Sequence, residues 1–158
     1  MDCKTYRALH TKFNKFPLSL ASGKYQEWAE HHDKCINCQD WVQAKQVEER
    51  GYSLSNFPCV HIAYHVTQKC EQHPDPYECP DVILIHDEKF DEYGIPIKDG
   101  GNSFIKIDYC PWCGIKLPKS KRDLWFKTLE SLGYKDPFFE NNIPPEFETN
   151  QWYKKKIY

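Results

Sequence analysis

The chain lacks a stretch of about 18 consecutive apolar residues, so no membrane-spanning helix is expected. It also lacks the apolar run that would make its opening, Met1-Asp2-Cys3-Lys4-Thr5-Tyr6-Arg7, a secretory signal. The expected location is the cytoplasm. A basic excess is missing too: 21 Lys and Arg stand against 23 Asp and Glu, a formal charge of -2. Global charge therefore speaks against a nucleic-acid binder. It leaves only local patches, at Lys116, Lys119, Lys121 and Arg122 or at Lys154 to Lys156. Neither a nucleotide-binding glycine loop nor a Gly-x-Ser-x-Gly elbow occurs. Asp99-Gly100-Gly101 reads as a turn, because no helix follows to receive a phosphate. Internal repeats and low-complexity segments are absent.

What the chain does have is aromatic side chains and cysteine. Five Trp, ten Tyr and nine Phe in 158 residues exclude disorder of the whole chain and imply a packed core. Eleven Pro and a mean hydropathy of -0.77 imply long irregular stretches around that core. The length suits one ordinary domain or two small ones. The eight cysteines are Cys3, Cys35, Cys38, Cys59, Cys70, Cys79, Cys110 and Cys113. Their even count would also suit four disulfides in a secreted protein. In a reducing compartment, clustered cysteines more often bind metal.

Spacing of three to four at Tyr6, Leu9, Phe13 and Phe16 predicts an amphipathic helix over residues 3–16, ended by Phe16-Pro17. Ser22-Gly23 introduces a second helix through Tyr25 and Trp28. A third is expected from Asp40 to Arg50, closed by Gly51. From Val60 to Thr67, apolar residues alternate with His61, Ala63 and His65, which suits a strand without excluding a helix. Cys70 to Pro80 is a proline-rich loop and Val82-Ile83-Leu84-Ile85 a short strand. Ile95 to Lys98 and Ser103 to Tyr109 form a hairpin around Asp99-Gly100-Gly101-Asn102. Ser120 and Asp123 suggest a capping box for a helix burying Leu124, Trp125, Leu129 and Leu132, with Gly133 closing it. The tail should wrap the surface around a short helix near Trp152. The expected class is α+β: a helical N-terminal region (1–51), then a small antiparallel β, zinc-ribbon-like core with a C-terminal helix and tail (52–158).

The strongest chemical motif is Cys110-Pro111-Trp112-Cys113-Gly114. Two thiolates at i and i+3 can face one ion when the backbone turns back between them, and Gly114 permits the tight geometry. A thioredoxin-like redox pair is the competing reading. It requires a helix N-terminus at the pair, whereas Gly114 and Pro118 follow within five residues. A structural zinc needs two more ligands. The candidates are Cys59, His61, His65, Cys70, His73 and Cys79, with Cys70 and Cys79 slightly favoured. Strand order decides among them. If strands 82–86 and 103–109 run antiparallel, Cys79 lies beside Cys110. If they run parallel, it lies away from it. Cys59 and His61 could instead reach Cys110, which would leave His65, Cys70, His73 and Cys79 for another ion.

His31-x3-Cys35-x2-Cys38 is the second motif, and it resembles the His-Cys-Cys core of zinc-containing anti-sigma factors. That resemblance implies a Cys pair at a helix start, a His from the preceding turn and an upstream fourth ligand, Cys3 or His10. It covers under ten residues and carries no anti-sigma function. The block Ile107-Asp108-Tyr109-Cys110-Pro111-Trp112-Cys113-Gly114-Ile115-Lys116-Leu117-Pro118 resembles an uncharacterised bacterial and phage family, a domain of unknown function. The likeness extends from about Pro58 to Tyr153. It implies a cysteine-rich, zinc-binding unit and no activity.

The carboxylates Asp81, Asp87, Glu88, Asp91, Glu92 and Asp99 read as turn and edge residues rather than a catalytic pair. The leading expectation is thus a non-enzymatic protein with one or two structural zinc ions and a protein partner, met at Trp152 and Tyr153 if these are exposed. The alternatives are a zinc ribbon that binds nucleic acid and a zinc-dependent hydrolase.

Overall fold

A computed structural model describes residues 1–15 and 23–154. The expected helix stop at Phe16-Pro17, the Ser22 start signal and the basic residues Lys155 and Lys156 lie outside the described residues. The class is α+β, with a helical N-terminal region and a small antiparallel sheet. Contacts divide the chain into two compact units, Met1–Tyr64 and His65–Tyr158.

The first unit is helical: α1 (Cys3–Lys15), α2 (Gly23–Lys34) and α3 (Ile36–Glu49). The predicted stripe holds at its described members, since Tyr6 and Phe13 are buried with Trp28 and Cys38, and Leu9 packs against them; Phe16 lies outside the described residues. Tyr6 and Trp28 stack at 5.0 Å, and the Trp28 indole donates to the Tyr6 carbonyl (3.2 Å). The third helix begins four residues earlier than Asp40, so it takes in Cys38. At its end, Gly51 adopts φ +86°. Its N–H donates to Glu48 O and that of Tyr52 to Val47 O, a Schellman closure.

Residues 60–67 differ from the expected strand: α4 spans Val60–Val66. The segment carries both periodicities, but Ile62, Ala63 and Thr67 are the buried positions, a helical face rather than alternate residues. The boundary between the units falls inside this continuous helix.

The second unit holds β1 (Ile85–Asp87), β2 (Glu92–Pro96) and β3 (Phe104–Lys106), antiparallel in the order β1-β2-β3. Pairing in β1 starts only at Ile85, the last residue of the expected apolar strand. Val82 and Leu84 are buried ahead of it, outside the sheet. The predicted hairpin is present. Ile97 N–H donates to Ser103 O (2.9 Å), Gly100 has φ +86°, and Asp99 Oδ1 accepts from Gly101 N–H (3.0 Å).

Helix α5 (Arg122–Ser131) buries Trp125 and Leu129, whereas Leu124 and Leu132 are more than half exposed, against expectation. The two buried residues are four apart and share one face. No capping box forms: Lys121 is the cap residue, and Ser120 Oγ accepts from Arg122 N–H (3.1 Å) while its hydroxyl donates to Glu92 Oε1. Gly133, at φ +98°, closes α5 as Gly51 closes α3.

The tail is part of the core rather than a surface wrapping. Phe147, together with Trp152 from α6 (Gln151–Lys154), packs with Phe90, Trp125 and Leu129. Each indole N–H finds a carbonyl, Trp125 on Phe147 O (2.9 Å) and Trp152 on Lys89 O (2.8 Å), so both rings are buried without an orphaned donor.

Candidate metal centres

In the first unit, three helix ends converge. Cys3 opens α1, His31 lies in the last turn of α2, and Cys35 is the residue that caps α3, with Cys38 one turn in. The chain turns tightly between His31 and Cys38: Cys35 N–H donates to His31 O and Cys38 N–H to Cys35 O, both 2.9 Å. One donor atom from each of the four residues lies within 4.8 Å of the others. Cys3 Sγ and Cys35 Sγ are 3.7 Å apart, and His31 Nε2 and Cys38 Sγ 3.3 Å. Zinc bonds of about 2.3 Å to sulfur and about 2.0 Å to nitrogen give tetrahedral edges of roughly 3.5–3.8 Å. The residues therefore fit a Cys3His zinc set. Of the two upstream candidates it is Cys3 that joins, while His10 packs edge-on against Trp41 at 5.2 Å.

The protons of this cluster are unevenly held. The Cys38 N–H beside Cys35 lowers that thiol's pKa. Burial, with neighbouring sulfurs, pushes Cys38 up to about 11. A metal ion would displace both protons, since the thiolate is the ligand.

In the second unit, Cys110 and Cys113 sit on a tight hairpin rather than at a helix start. Tyr109 bridges Lys116 antiparallel, Gly114 N–H donates to Cys110 O (2.9 Å), and Cys110 N–H to Ile115 O (2.9 Å). Gly114 takes φ +70°, which glycine adopts without cost. Cys110 is buried and Cys113 exposed. Between them Trp112 stacks on His65, centroids 4.2 Å apart. No helix follows the pair until Arg122, so the helix dipole that a thioredoxin thiol uses is not at hand.

The favoured partners, Cys70 and Cys79, group instead with His73. Their donor atoms lie within 4.8 Å of one another, and neither Cys110 nor Cys113 belongs to that group. Sheet order accounts for this. With β2 between them, β1 and β3 point the same way, so the chain entering β1 lies at the start of β3. There Cys79, Val82 and Ile85 pack with Phe104. The knuckle lies beyond the other end of β3.

Cys59 and His61 stand at the start of α4 in the first unit. His61 Nε2 lies 3.1 Å from Asp40 Oδ1. A carboxylate on one ring nitrogen fixes the tautomer and leaves the other to a metal, as at most metal-bound histidines. Asp40 carried no sequence signal for this role, since nothing in the spacing links it to His61. His65 joins no donor group among the described residues.

The carboxylates around the strands are more than turn residues. Asp87 and Asp99 do hold turns, but Asp91 accepts from His86 (3.1 Å) and from Lys121. Glu92 is buried and receives Arg122 twice, at 2.7 and 3.1 Å.

Residues 56–155 match the family model of a domain of unknown function, DUF6980. The chain belongs to that family. No curated protein and no solved structure matches it. The family segment contains Cys59, His61, the Cys70 loop and the knuckle, and it leaves out Cys3, His31, Cys35 and Cys38. Among the described residues, no helix is long and apolar enough to cross a membrane.

Proposed function

We propose that this protein is a cytoplasmic zinc-stapled interaction module, in which two zinc ions are structural and the work is the binding of another protein. The observation that carries the reading is the four-donor group Cys3, His31, Cys35 and Cys38. Four protein ligands leave no position for water or substrate, so such a zinc supports the fold rather than a reaction. For the second ion we assign Cys110 and Cys113 of the knuckle as two of its thiolate ligands, held to face one ion by the tight turn that Gly114 closes.

Trp152 is in the core and cannot offer a partner surface. Exposed apolar side chains remain at Leu124 of α5, at Leu132 just past its end and at Phe138 and Phe139 after it, and a protein partner would cover these. Nucleic-acid binding is disfavoured: of the four basic residues near the knuckle, Lys121 and Arg122 are held by Asp91 and Glu92.

Metal analysis of the reduced protein is the test. Cys35→Ser and Cys113→Ser should each remove one equivalent of zinc and spare the other. A reduced protein with no metal would refute the reading. For the partner, Phe139→Ser should abolish a crosslinked complex formed in the native host while metal content stays unchanged. An unaffected complex would remove Phe139 from the interface.

A further inference from the structure

The loop that bears Cys70, His73 and Cys79 is used by neither structural site. It runs from α4 to β1 through Pro74, Pro76 and Pro80 without regular secondary structure. Yet it is held firmly. Glu78 and Cys79 N–H both donate to Asp75 O (3.2 Å), and Asp75 Oδ1 accepts from Tyr77 N–H (2.8 Å). From the sheet hairpin, Lys98 Nζ donates to the carbonyls of both Pro76 and Cys79 at 2.8 Å. These bonds set Cys79 as a fully buried sulfur facing Cys70 and His73, which are only half-buried. Cys70 Sγ and His73 Nδ1 are 3.4 Å apart, close to the roughly 3.5 Å nitrogen–sulfur edge of a zinc tetrahedron. The three donor atoms lie within 4.8 Å of one another, and no fourth His, Cys, Asp or Glu among the described residues joins them.

We propose that Cys70, His73 and Cys79 form a third zinc site with an open fourth position, which takes a soft external donor, a thiolate or an imidazole. On binding, the ion displaces one proton from each thiol to solvent and accepts an electron pair from each sulfur and from His73. Two thiolates cancel the charge of Zn²⁺. A bound water there is therefore less acidified than beside three neutral histidines, and the site favours exchange of its fourth ligand over hydroxide chemistry. The open side is the solvent side, where Cys70 and His73 are accessible. With one ligand fewer than the four-donor sets, this ion is also the first to leave. The proposal uses residues apart from those of the two structural sites and does not rest on them.

The experiment is metal counting on the full chain, followed by visible spectroscopy of cobalt placed in the labile site. Wild type should hold three metal equivalents, one released to a moderate chelator before the others. Cys79→Ser should lose only that one. Adding imidazole or 2-mercaptoethanol to the cobalt-exchanged protein should shift the ligand-field bands in wild type and leave Cys79→Ser unchanged. Because Cys79 is buried, His73→Cys provides a second variant: it should keep the third metal and gain thiolate-to-cobalt absorption in proportion to a third sulfur. Two metals in both wild type and Cys79→Ser would overturn this site and leave the structural reading standing. No metal in wild type would overturn both. A third metal whose bands ignore both added donors would overturn the open position.

Discussion

At the scale of single residues, charge inside the second unit decides more than any isolated turn. Glu92 is 5% exposed on β2, and its two oxygens take the guanidinium of Arg122 and the hydroxyl of Ser120 at the start of α5. Arg122 in turn lies over the Phe90 ring at 3.9 Å. Burial alone would raise the Glu92 pKa, but the Arg122 and Ser120 bonds outweigh it and hold it below the ordinary value. Glu92→Ala leaves the guanidinium without its carboxylate, but Arg122 is 37% exposed and water replaces part of what is lost, so the cost should be about 2 kcal/mol. Denaturant unfolding should show that loss, and a loss under about 1 kcal/mol would mean the pair contributes little.

Asp91 offers a pH test. The hydrogen bond from His86 and then that from Lys121 depress its pKa from 3.8 to about 2, despite burial. A depressed carboxylate stabilises the fold above its unfolded value, and that stability fades as pH falls from about 4 toward 2. The difference between wild type and Asp91→Asn should be roughly 2 kcal/mol at pH 5 and shrink toward zero near pH 2. Asn suits the test because Asp91 sits at φ 54°, a conformation Asn tolerates. A difference that did not vary with pH would show that the carboxylate's charge is not what matters.

Among the elements, strand β2 leaves no room for a side chain at Gly94. A Cβ on Gly94 would meet the Phe104 ring at 2.1 Å and the Ile105 carbonyl at 2.8 Å, so β3 itself would have to move. At Gly133 nothing lies within 4 Å, and only the positive φ opposes a side chain. Gly133→Ala should therefore cost about 1 kcal/mol, and Gly94→Ala clearly more, as overpacking does. Thermal melts of the two variants would rank them, and equal melting temperatures would contradict the crowding at Gly94. The elements read best from sequence were those with strong local signals: the Tyr6, Leu9, Phe13 stripe, the Asp99-Gly100-Gly101 turn, and the Gly51 and Gly133 closures. Val60 to Val66 misled because seven residues with both periodicities cannot reveal which face will be covered.

At the scale of the whole molecule, size makes metal consequential. The first unit has 64 residues, and a core of that size rarely supplies more than about 3–5 kcal/mol. Structural zinc in small domains contributes roughly 10–16 kcal/mol of apparent binding energy. Strong chelation should therefore melt the N-terminal helices, seen as loss of helical circular dichroism, and zinc should restore them. Helices that survive chelation unchanged would show that the aromatic cluster around Tyr6 and Trp28 is sufficient.

The sequence by itself determined the class and the two local cysteine motifs, because donors three or four residues apart are brought together by local backbone turns. Which distant donors meet them was left to tertiary structure. Placing β2 between β1 and β3 separates Cys79 from Cys110, and only the packing of α1 against α2 and α3 selects Cys3 over His10. Those choices depend on strand order and helix packing, which side-chain spacing along one chain does not encode.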